Sequence, residues 1–118
     1  MAAQVSIGTL DGNNLQTAVI NSAAGGDITV VSAVTGQIVR VYKLVLNSIT
    51  ATAITPKDGA STALSGPLAF GATDTRHWPN DGQPWYKTSS GNAFIINSSA
   101  AVQVSGTCYF TQQSGTQS

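Results

Sequence analysis

The side chains able to do chemistry are few, and most of them fall in one stretch. From Gly71 to Tyr86 the chain carries Asp74, Arg76, His77, Trp78, Asp81, Trp85 and Tyr86. Two carboxylates can share general acid–base work of the glycosidase kind. The pair here would be Asp74 and Asp81, but Asp81 precedes Gly82, a dipeptide that suits a tight turn. His77 with Asp74 supplies two parts of a Ser-His-Asp arrangement. No Gly-x-Ser-x-Gly elbow occurs to present the nucleophile. A metal needs further ligands at suitable spacing, yet His77 is the one His and Cys108 the one Cys. The Gly-rich stretches lack the Gly-Lys-Ser/Thr ending of a phosphate loop. The sequence therefore predicts no enzyme, no metal and no cofactor.

Binding chemistry is better represented. Trp78, Trp85 and Tyr86 form the one aromatic concentration. In a loop of a β-sandwich such rings can stack on sugars, which makes a carbohydrate-binding module one reading. In the favoured reading they plug one end of the sandwich or anchor a subunit contact, because aromatic side chains dominate buried contacts. His77 is expected to make a surface or interface hydrogen bond. Arg40 and Lys43, set inside an apolar strand, are expected to extend their charged ends to an edge. The candidate contact residues are Arg40, Tyr42, His77, Trp78, Trp85 and Tyr86.

The elements that must position these residues are strands. Helix formers are scarce, Thr and Val are abundant, and turn residues recur about every ten positions. Asp11-Gly12, Asp58-Gly59 and Asp81-Gly82 mark tight turns. Strands are predicted at roughly 15–20, 28–33, 37–47, 50–55, 62–64, 67–70, 84–88, 92–97 and 101–111. Strict alternation through the third strand puts Ile38, Arg40, Tyr42, Leu44 and Leu46 on one face and Val39, Val41, Lys43 and Val45 on the other. Both faces are then apolar, and a neighbouring subunit would cover the second. In the last strand Val102, Val104, Cys108 and Phe110 point to the core, which makes Cys108 a small inert hydrophobe. Gly71–Pro84 reads as a long loop.

At 118 residues the chain suits one domain. Residues 15–111 form the sandwich, with an N-terminal arm at 1–14 and a C-terminal tail at 112–118, both polar and aperiodic. The fold class is an all-β antiparallel sandwich with an extended N-terminal arm, and a jelly roll is the leading topology. Five cations balance five Asp, and there is no Glu, so the electrostatic footprint of a nucleic-acid binder is missing. Ser, Thr, Asn, Gln and Gly make up nearly half the chain, at 13, 14, 7, 8 and 12 residues. Solubility rests on hydroxyls and amides, and little charge repulsion opposes self-association. No apolar run approaches the roughly 18 residues of a membrane span, and the first residues lack the features of a secretion signal. The lone Cys fits a reducing, cytoplasmic site of synthesis.

Four segments carry a resemblance: Val34–Leu46, Lys57-Asp58-Gly59, Leu64–Leu68 and Gly91–Thr107. Together, over about residues 28–110, they resemble small tailed-phage capsid decoration, or cement, proteins of jelly-roll type. The resemblance implies a homotrimer seated on the outer surface of the virion at three-fold and quasi-three-fold positions. There it would clamp neighbouring subunits of the major capsid protein, with neither nucleic acid nor membrane as partner. A head-fibre or tail accessory protein is a further reading, although the chain has no elongated or collagen-like segment.

Overall fold

A computed structural model describes residues 15–114. Its elements are all strands: β1 (Gln16–Ser22), β2 (Gly26–Val31), β3 (Gln37–Ser48), β4 (Thr52–Asp58), β5 (Thr62–Ala63), β6 (Leu68–Phe70), β7 (Asp74–Trp78), β8 (Tyr86–Lys87), β9 (Phe94–Ser98) and β10 (Val104–Ser114). They form two antiparallel sheets packed as a sandwich. The first has the order β1-β10-β3-β7, with β8 also on β3; the second has the order β2-β9-β4-β5, with β6 also on β4. The pairings are nested, β1 with β10, β2 with β9, β3 with β7 and β8, β4 with β5 and β6. That is the pattern of one long hairpin rolled over itself, with β10–β3 and β9–β4 pairing to complete each sheet.

The longest pairing, β3 with β10, corrects the expected alternation. Lys43 stands opposite Tyr109 and Val41 opposite Phe110, so Tyr42 has no opposite number and forms a bulge. The extra residue shifts the phase of the strand. Val39 and Val41 point inward before it, and Leu44, Leu46 and Ser48 point inward after it. Both apolar sets therefore reach one core, where Val39, Val41 and Leu44 are fully buried with Ile54, Phe94, Ile96, Val104 and Cys108. No subunit is needed to cover Val39 and Val41.

Two strands are interrupted. β7 pairs with Leu44–Ser48 and β8 with Arg40–Val41, both antiparallel along the same edge of β3. The expected loop at Gly71–Pro84 is thus a strand, β7, followed by a detour through 79–85 opposite the Tyr42 bulge. Its polar sequence concealed it, because an edge strand exposes much of its length. On the other sheet β5 and β6 flank a detour at 64–67. Pro56 faces that gap and its carbonyl accepts from Leu64 N. In a strand the N–H and C=O of one residue point the same way, so the donor Pro56 lacks falls where no partner strand runs. The boundary at 111 also moves: 112–114 belong to β10 and pair with 37–39. Residues 1–14 and the rest of the expected tail, 115–118, lie outside the described residues.

Candidate functional site

All six candidate contact residues lie on β3 or along its β7–β8 edge, but they point in different directions. Trp78 and Tyr86 stand opposite Leu44 and Val41 and turn inward. Both pack half-buried against the core, and the Tyr86 ring stacks on Phe94 of the opposite sheet at 6.0 Å between centroids. Burial pushes the Tyr86 phenol above its usual pKa, against hydrogen bonds with Ser65 and Trp78. These two rings pack between the sheets at the β7–β8 edge. Trp85 differs from them: the residue is 42% exposed, and its indole N–H is held by the Pro79 carbonyl at 2.7 Å.

His77 is exposed on the outward side of β7, opposite Val45. Asp74, three residues away on the same strand, points to the other face and pairs with Arg76 at 3.4 Å. The His77–Asp74 pairing is therefore not made. Tyr42 occupies the bulge and is half-buried. Arg40 stands outward opposite Lys87, and it is buried instead of reaching into solvent at an edge.

The polar chemistry of the described residues is spent on holding the fold. Asp58 ends β4 and is buried, where it accepts from Ser89 N at 3.0 Å, Ser89 Oγ at 2.8 Å and Asn92 Nδ2 at 3.0 Å. Burial is the largest single influence and raises its pKa, but the three hydrogen bonds outweigh it and hold the carboxyl below its usual value. On the outward face of the second sheet Asp27 accepts from Asn97 at 2.8 Å and from Lys57 at 3.0 Å, which lowers its pKa as well. Thr52 Oγ1 meets Ser98 Oγ at 2.9 Å and receives Ala100 N at 3.2 Å, tying the turn after β9 to β4. Burial pushes the Cys108 thiol up to about 12. Among the described residues no three His, Cys, Asp or Glu side chains gather into a metal-binding group.

Three residues on the first sheet escaped the sequence reading. Val19, on β1, is 80% exposed. Lys87 falls in the predicted strand 84–88, but nothing in that pattern announces its place opposite Arg40. Tyr109 carries Lys43 over its ring at 5.1 Å. The signal for this last pair was present in the β10 alternation, but only the bulge places Lys43 on the same face. Comparisons with protein-family models, curated proteins and solved structures find no match to this chain.

Proposed function

We propose that the chain is a structural protein of a virus particle, a decoration or cement protein. As a homotrimer it would seat on the outer surface of a tailed-phage head and hold neighbouring major-capsid subunits together. The observation that carries this reading is the nested strand pairing, β1:β10, β2:β9, β3:β7/β8 and β4:β5/β6. We read it as a jelly roll, an architecture that viral capsid and lectin domains share. We favour the capsid branch on the sequence resemblance over about residues 28–110. Support also comes from the engaged carboxylates Asp27, Asp58 and Asp74, which serve the fold. A clamp does no chemistry. It adds contact across joints that the pressure of packaged DNA tends to open, and several contacts on one trimer reinforce one another through effective concentration.

The exposed Trp85 favours a second reading, a carbohydrate-binding module, because its N–H is already satisfied and an exposed aromatic residue can stack on a sugar. One comparison separates the two. Particles carrying the protein and particles stripped of it are challenged by heat and osmotic shock, and DNA release is measured. The clamp reading expects earlier release from stripped particles and recovery when the protein is added back. Equal survival, together with glycan binding abolished by Trp85→Ala, would establish the sugar module instead.

A further inference from the structure

The two outward faces of the sandwich treat charge differently. On the second sheet the outward charges, Asp27 and Lys57, neutralise each other and are held in place by Asn97. On the first sheet Lys43 and Lys87 point outward, and Lys43 meets the Tyr109 ring instead of an acid. Among the described residues no carboxylate occupies an outward position on β1, β3, β7, β8 or β10; Asp74, the one Asp on these strands, points inward at the sheet edge. Arg40 lies outward beside Lys87 but makes contacts of its own within the chain. Beside them runs a level row across four strands, Val19, Thr107, Val45 and His77, with Val19 80% exposed at its end.

From this asymmetry we propose that the outward face of the β1-β10-β3-β7 sheet is the docking surface, and that its partner is a carboxylate-bearing protein surface. A cationic face with apolar residues beside its lysines fits a protein patch that pairs acids with aliphatic side chains. A second copy of this chain fits poorly, because among the described residues Asp27, Asp58 and Asp74 are already bound within it and Asp81 alone is left outside such clusters. A phosphate backbone would call for a denser run of cations than two lysines on a face that also carries Tyr109 and Val45. The proposal rests on the clamp reading in taking the partner to be the shell.

The test uses the full chain and two variants, Lys43→Gln/Lys87→Gln on the proposed face and Lys57→Gln on the other. Thermal melting first establishes that each variant is folded. Binding is then measured at low salt to poly-L-glutamate, to duplex DNA and to phosphatidylglycerol vesicles. We expect wild-type protein and Lys57→Gln to bind poly-L-glutamate alike, with affinity falling as salt rises, and the double variant to bind about tenfold more weakly. Equal binding by the double variant, or none by wild type, overturns the proposal. Tighter binding to DNA or to vesicles overturns the choice of a protein partner. Stripped particles distinguish the two layers of argument. If they rebind the double variant as well as wild type, the shell reading stands and the face is wrong. If they bind neither form while poly-L-glutamate still separates them, the face stands and the shell reading is wrong.

Discussion

Cys108 sits on the inward side of β10 with no exposed surface, and its thiol is held near 12 by burial. Only the thiolate reacts, so native protein at pH 8 is expected to resist iodoacetamide and to be alkylated once unfolded in urea. Rapid labelling of the native form would contradict the burial. Asp58 gives a second prediction with a definite sign. Its folded pKa lies below the unfolded value of about 3.9, so its ionised form contributes stability at neutral pH. That contribution is lost as pH falls below about 4 and through the folded pKa. Asp58→Asn replaces an accepting oxygen with a donor facing donors, and is expected to cost about 1–3 kcal/mol at pH 7. Urea titrations should show the gap between wild type and variant closing towards pH 3. A gap independent of pH would mean that the carboxylate charge contributes nothing there. These residues were half legible in the sequence. Alternation placed Cys108 inward, and Asp58-Gly59 announced a turn, with Gly59 at φ 69°. The clasp that Asp58 makes was hidden because its partners, Ser89 and Asn92, are 31 and 34 residues away.

At the scale of elements, period-2 patterning located most of the strands because apolar and polar residues alternate where one face is buried. It failed where the backbone broke the period. A bulge is one extra residue, and nothing in Val41-Tyr42-Lys43 announces which residue is extra. The edge strand β7 was missed for a different reason, since Asp74–Trp78 buries little and reads as polar. The pairing of β3 with β10 depends on a second local feature. Gly106 lies opposite Leu46, and a Cβ built on it would overlap the Val45 carbonyl of the neighbouring strand. That obstacle is backbone in the middle of the sheet, which has little room to retreat. Gly106→Ala is expected to destabilise by an amount at the upper end of about 1–3 kcal/mol. Ala at Gly36, where no atom lies within 4 Å of the added Cβ, separates this clash from the general cost of replacing a glycine at φ 79°. Equal losses in the two variants, read as shifts in urea midpoint, would show that close approach at Gly106 is unimportant.

At the scale of the whole molecule, the electrostatics bear on both assembly and attachment, and they predict that the two respond differently to salt. The chain has five cations against five Asp, so no net charge opposes association of like copies. A closed ring of three copies uses head-to-tail contacts whose rotation returns to the start, which limits growth to the trimer. With Asp27, Asp58 and Asp74 engaged within their own chain, contacts between copies in the proposed trimer would come largely from hydroxyl, amide and apolar groups. Such contacts are insensitive to ionic strength, whereas the proposed attachment through Lys43 and Lys87 to a carboxylate surface would be screened over a Debye length of about 10 Å at 0.1 M salt. Sedimentation equilibrium is therefore expected to give about three times the 12.1 kDa chain mass at both low and high salt. Release from particles should rise steeply over the same range. A monomer at concentrations of about tens of micromolar would remove the trimer from the account. A trimer that dissociates in salt while particle attachment persists would exchange the two roles, making the lysine face the contact between copies.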